Sequence, residues 1–204
     1  GIDSGRWRIF YDAQLQSELF KNLNQDVLSS LKNTNHVNYC LEQNCRNSKK
    51  IIENITRLTE FKQDPYIGSI NGTMVYADSY KSDAEQWSKI IEILNKVDKE
   101  NVNREKVDIV SICGLEDSIG YKMRKKLSDR HIQFLTPENL SNHHGYSGLS
   151  SIFKYKGLEN DIIILTDITS LASKIDKAQL YTGMSRAKHQ LYMLIDESVI
   201  QEYD

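Results

Sequence analysis

Three stretches of the chain hold the residue types that chemistry needs. Ser151-Ile152-Phe153-Lys154-Tyr155-Lys156-Gly157-Leu158-Glu159-Asn160-Asp161 runs into the apolar Ile162-Ile163-Ile164-Leu165. The pattern reads as a strand, a turn with glycine near its tip, and a second strand. A glycine at such a tip lets backbone approach a ligand closely. Glu159 sets a carboxylate beside that approach, which suits a ribose hydroxyl better than a phosphate. A plain surface turn would carry the same letters. The other two stretches each hold an arginine at a helix end: Arg186 in Gln179–Lys188 and Arg46 in Leu41–Ser48. In isolation, Arg186 also fits a basic residue satisfying the last carbonyls of its helix, and Arg46 fits a solvated arginine at a helix start.

The elements that must position these residues are legible from periodicity. Trp7–Tyr11 is strand-like and ends at Asp12, and amphipathic segments follow through Leu28 and Leu31. Val37–Leu41 is a predicted strand. Ile51, Ile52, Ile55 and Leu58 share one helical face. Turn signals at Asp64-Pro65, Gly68 and Asn71-Gly72 precede a strand around Met74–Tyr76. Ser82 and Glu85 have capping-box spacing before Trp87, Ile90, Ile91, Leu94 and Val97. Val107–Ile112 is apolar enough for a strand buried on both faces. Ile119, Met123 and Leu127 predict a helix, Ile132–Leu135 a strand, and Thr136-Pro137-Glu138 a further helix start. Leu149–Tyr155 and Asp161–Thr166 are predicted strands joined by the Lys156–Glu159 turn. A helix with Leu180, Met184 and Ala187 leads to a last strand, Gln190–Ile195. Apolar strands alternating with amphipathic helices predict an α/β layered domain with a mainly parallel sheet.

Composition bounds the rest. The 204 residues are 39% hydrophobic and 26% charged with only two prolines, which excludes long disorder and collagen-like chains. No run approaches the roughly 20 apolar residues of a membrane span, and no signal-peptide pattern opens the chain, so a cytoplasmic protein is expected. Cys40, Cys45 and Cys113 form no CxxC pair, and His143-His144 lacks a third ligand at metal spacing, so no metal site is expected. The net charge of −2 excludes a globally basic surface, not a local basic groove. Arg124-Lys125-Lys126 reads as a solvated helix face.

The segments, in their order, resemble the motifs of UvrD/Rep-type superfamily 1 helicases. Ser151–Glu159 looks like motif V, roughly Thr-x-His-x-x-Lys-Gly-Leu-Glu, with Lys156, Gly157, Leu158 and Glu159 matching directly. Ser151 stands at the threonine and Phe153 at the histidine. Gln179–Lys188 followed by Gln190–Ile195 resembles motif VI, and Leu41–Ser48 resembles motif IV, Leu-x-x-Asn-Tyr-Arg-Ser. There Cys45 replaces the usual aromatic. Gly5–Gln16 is similar to motif III, with Leu15 at the expected glutamine. No Gly-x-x-x-x-Gly-Lys-Ser/Thr loop and no Asp-Glu pair after an apolar strand is present.

The resemblance implies a three-layer RecA-like domain with a mainly parallel sheet, a P-loop NTPase-like fold without its own Walker loop. Residues 1–16 would be the tail of a preceding motor domain, 17–36 connecting helices, and 37–204 the second RecA-like domain. It implies the C-terminal half of an ATP-dependent DNA helicase or translocase, inactive by itself. Arg186 and Arg46 would be the catalytic arginines at the γ-phosphate; an arginine finger is worth on the order of 10³–10⁵ in rate. Glu159, Gly157 and Asn44 would bind ATP, and Ser151, Phe153 and Lys156 nucleic acid. Phe153 could stack on a base or be buried. The implied partners are single-stranded DNA, or RNA, and the N-terminal RecA-like domain of the same polypeptide, with no membrane. ATP and Mg are the implied cofactors, the Mg ligands lying in the N-terminal half. The alternative is a degenerate helicase-like domain that acts as a non-motor binding module; Leu15, Cys45 and Phe153 favour it.

Overall fold

The computed structural model describes residues 46–61, 74–140 and 143–200, together with Asn33, Val37 and Asn44. The motif III-like segment, the predicted Val37–Leu41 strand beyond Val37 itself, and Cys45 lie outside the described residues. All the described helices and strands belong to the unit Gln43–Asp204.

Six strands form one sheet: β1 (Tyr76–Tyr80), β2 (Val107–Ser111), β3 (Ile132–Phe134), β4 (Ser147–Ser151), β5 (Asn160–Ile168) and β6 (Ala187–Asp196). Their order is β1-β6-β5-β2-β4-β3, and every pairing is parallel. The principal helices are α1 (Lys49–Thr59), α2 (Asp83–Lys99), the single turn α3 (Ile119–Lys122) and α4 (Lys174–Met184). Successive side chains of a strand point to opposite faces, and β5 shows the consequence. Ile163 and Leu165 join Ile51 and Ile55 of α1 and Leu180 and Met184 of α4 in one core. Ile162 and Ile164 join Trp87, Ile90 and Leu94 of α2 and Ile119 of α3 in the other. Helices on both faces of a parallel sheet make the three-layer α/β architecture that the resemblance implied.

The local rules hold with instructive exceptions. The Ser82 hydroxyl accepts from the Glu85 N–H at 3.3 Å, but the Glu85 carboxylate reaches back to the Lys81 N–H at 3.0 Å, so the box closes one residue early. The helix predicted through Leu127 stops at Lys122 and continues as 3₁₀ turns over Arg124–Lys126 and Ser128–Arg130. Thr136-Pro137-Glu138 makes only a turn. The Asn139 side chain accepts from the Thr136 N–H and donates to the Phe134 carbonyl, closing the segment on itself. Ala187 opens β6 rather than ending α4.

The strand predicted over Leu149–Tyr155 stops at Ser151, and β2 lies between it and β5. After Ser151 the chain turns, with the Lys154 and Tyr155 N–H groups both donating to the Ser151 carbonyl. Residues 152–159 therefore form a connection that runs from the C-terminal end of β4 back past β2 to the N-terminal start of β5.

Candidate nucleotide and nucleic-acid site

Parallel strands bring Glu159 and Arg186 together. Each is the residue immediately before a strand, β5 and β6, and Asn160 pairs with Ala187 in the register. The Asn160 N–H donates to the Arg186 carbonyl at 3.1 Å, which fastens the two approaches. Arg46 arrives from the turn before α1. The Asn44 side-chain oxygen accepts from the N–H groups of Arg46 and Asn47, at 3.0 and 3.2 Å, and shapes that turn. Asn47, buried, donates to the carbonyls of Ser185 (3.0 Å) and Ala187 (2.7 Å). The Ser48 N–H adds a bond to the Lys188 carbonyl at 3.0 Å. The start of α1 is thus clamped to the turn between α4 and β6.

The charges converge on one carboxylate. Arg46 Nε lies 2.6 Å from Glu159 Oε2, and Lys188 Nζ lies 3.0 Å from Oε1. The bond from Lys188, with Arg46 and Arg186 adding their charge, holds the Glu159 carboxyl below the usual carboxylate range. Arg186 is only 4% exposed, and its Nε donates to the Thr182 carbonyl at 3.1 Å. That bond satisfies the last turn of α4, yet it uses one of the five guanidinium donors. Burial first, and then the neighbouring Arg46 charge, lower the proton affinity of Arg186. Three cations around one anion leave an excess of positive charge at this edge of the sheet. Gly157, with φ of +86°, takes a left-handed conformation that a side chain would strain, and a Cβ there would meet nothing within 4 Å.

The nucleic-acid candidates lie elsewhere. Ser151 ends β4 and pairs with Ser111, which in turn pairs with Thr166. Thr166 is six residues along β5 from Asn160, roughly 20 Å at 3.3 Å per residue. Ser151 and Glu159 therefore lie at opposite ends of the parallel strands, and the connection 152–159 spans their length. Ser151 is buried, whereas Phe153 is 41% exposed and flanked by exposed Lys154, with Lys156 exposed beyond it. Of the two readings of Phe153, burial is excluded.

Sequence reasoning missed Asn47, Lys188 and a buried acid, Asp108. Lys188 follows Arg186 by two residues, and Asn47 follows Arg46, so both were in view but unassigned. Asp108 had a signal: it is the one charged residue inside the apolar Val107–Ile112 run. Among the described residues, no group of three or more His, Cys, Asp or Glu side chains could hold a metal ion. His144 instead pairs with Glu105 at 2.7 Å. No described helix is long and apolar enough to cross a membrane.

The parallel sheet with helices on both faces defines a three-layer α/β domain. Residues 146–194, which hold the segments like motifs V and VI, match the family model of the UvrD-like helicase C-terminal domain. The resemblance read from those motifs is borne out over that segment. Among solved structures, the chain is similar to the C-terminal domain of a possible DNA helicase from Lactobacillus plantarum WCFS1. The TM-score is 0.56 at 19% identity, covering 74% of this chain and 87% of that one. No curated protein matches the chain.

Proposed function

We propose that this chain is the C-terminal half of an ATP-dependent DNA helicase or translocase, donating cations across a cleft to a nucleotide held by a preceding RecA-like domain. The observation that carries the reading is the Arg46, Arg186 and Lys188 cluster about Glu159. A polyphosphate entering this edge competes with Glu159 for Arg46. The Arg46–Glu159 pair is half exposed, so exchanging it costs about 0–1 kcal/mol. Glu159, once released, is free to accept from a ribose hydroxyl, and Gly157 leaves room beside it. Asn44 holds the turn that presents Arg46. Mg accompanies ATP in this reading and neutralises phosphate charge, with its ligands on the preceding domain. Cations that grip the nucleotide in only one domain arrangement favour closure, and hydrolysis releases it.

The strand-facing half of the proposal rests on Phe153, Lys156 and the Ser151 turn. An exposed aromatic flanked by lysines combines a stacking face with charge for a single strand. Phe153→Ala is expected to weaken binding of a short oligo-dT by about 1–3 kcal/mol, roughly 5- to 150-fold. Because the ring is exposed, the melting temperature should stay nearly unchanged. Fluorescence anisotropy titration at fixed salt reads the first quantity and thermal unfolding the second. Equal affinity in the two proteins would remove Phe153 from the strand contact.

A further inference from the structure

Residues 153, 154, 156 and 157 are all exposed, yet Tyr155 between them is 1% exposed. Its ring packs in the core shared with α1 and α4, and its hydroxyl donates to Asp108 Oδ2. Asp108, the second residue of β2, is itself buried and stays fully partnered. Its Oδ1 accepts from the Gly148 N–H at 3.1 Å, and its Oδ2 also accepts from Asn160 Nδ2 at 2.8 Å. Gly148 is required here, since a Cβ would stand 2.3 Å from Asp108 Oδ1. Asn160 passes the connection on, its N–H donating to the Arg186 carbonyl. A hydrogen-bonded path thus runs from the middle of the 152–159 connection to the backbone of the arginine turn.

We propose that Tyr155 is a positioning residue that ties the strand-facing end of this connection to the nucleotide-facing cluster through Asp108 and Asn160. The inference rests on the function proposed for its two ends, but the tie itself is a property of the free chain. Its physical basis is a buried hydrogen bond to a carboxylate, stronger than a neutral one and held in low dielectric. Beyond this tie, the connection is held by the buried Ile152, by the backbone bonds after Ser151 and by the ion pairs of Glu159 with Arg46 and Lys188. With the tie intact, a displacement at Phe153 is carried to Glu159 and Arg186; without it, the two ends relax independently. Spatial continuity alone does not establish coupling, so the test must read both ends.

Tyr155→Phe keeps the ring and removes the bond. Amide hydrogen exchange on the 204-residue chain, free and with oligo-dT, measures the outcome. In the free variant, amides of residues 158–160 and 186–188 should exchange at least about tenfold faster, while β2 and β6 interiors are unchanged. Oligo-dT should slow exchange at both 152–154 and 158–160 in the unaltered chain, but only at 152–154 in the variant. Unchanged rates at 158–160 and 186–188 in the free variant would overturn the tie, as would uniform acceleration across the sheet. If oligo-dT protects neither segment of the unaltered chain, the strand-contact reading fails, and the free-chain comparison still decides the tie. Should Tyr155→Phe not fold, Asp108→Asn alters the same bond from the acceptor side and is read in the same way.

Discussion

Arg186→Ala in the intact polypeptide should lower ATP turnover by about 10³-fold or more while leaving nucleotide affinity within a few fold. The reason is the kind of interaction removed. A guanidinium aimed at the γ-phosphate counters charge that develops only as the phosphoryl group transfers, so its loss falls on turnover more than on binding. Arg186 suits that task because it is pre-positioned: burial and the bond from Nε to the Thr182 carbonyl fix the side chain before any ligand arrives. Lysine lacks both the fork and the Nε anchor, so Arg186→Lys should recover little. The helix end should survive either change, because the Ser185 hydroxyl also donates to the Thr182 carbonyl at 3.0 Å. Steady-state phosphate release at saturating ATP, beside a fluorescent-nucleotide titration, separates the two effects. Unchanged turnover would remove Arg186 from the mechanism.

Asp108→Ala is expected to cost about 1–3 kcal/mol of stability in urea unfolding, since it strands the buried Tyr155 hydroxyl. The Tyr155 hydroxyl and Gly148 N–H lose their partner, whereas Asn160 Nδ2 keeps the Glu105 carbonyl at 2.9 Å. A loss below about 1 kcal/mol would show that the network contributes little. The same residue predicts a pH dependence. Burial raises the Asp108 carboxyl above the usual range, against the opposing bonds from Tyr155 and Asn160. The folded chain then holds a proton that the unfolded chain has already released. Stability from this group is complete below the ordinary aspartate value of about 3.9 and is lost as pH rises through the folded value, after which it is level. Asp167 is raised by burial too and acts in the same direction. The slope should therefore shrink, not vanish, in Asp108→Asn, as melting temperatures across that acidic window would show.

Much of the fold was legible because its signals are local. Ile51, Ile55 and Leu58 announce α1 by spacing alone, and the Val107–Ile112 run is apolar enough for a doubly covered strand. What was not legible depended on which strands became neighbours. Leu149–Tyr155 and Asp161–Thr166 read as two strands separated by a turn, and nothing in their letters says that β2 lies between them or that the first strand stops at Ser151. The same ignorance hid Tyr155, whose burial follows only when β2 brings Asp108 beneath the connection. At the site, the glycine turn and the arginines stood out by type. That Glu159 would meet Arg46, and that Asn47 would clamp Arg46's turn to Ser185 and Ala187, required contacts across more than a hundred residues of sequence.

If this chain supplies only half of a nucleotide site, it cannot turn over ATP by itself. The decisive measurement is phosphate release from Mg-ATP, with and without oligo-dT, by purified residues 1–204 and by the intact polypeptide. The half-site reading requires background release from the 204-residue chain under both conditions and DNA-dependent turnover in the intact polypeptide. Robust turnover by the 204-residue chain alone would refute it.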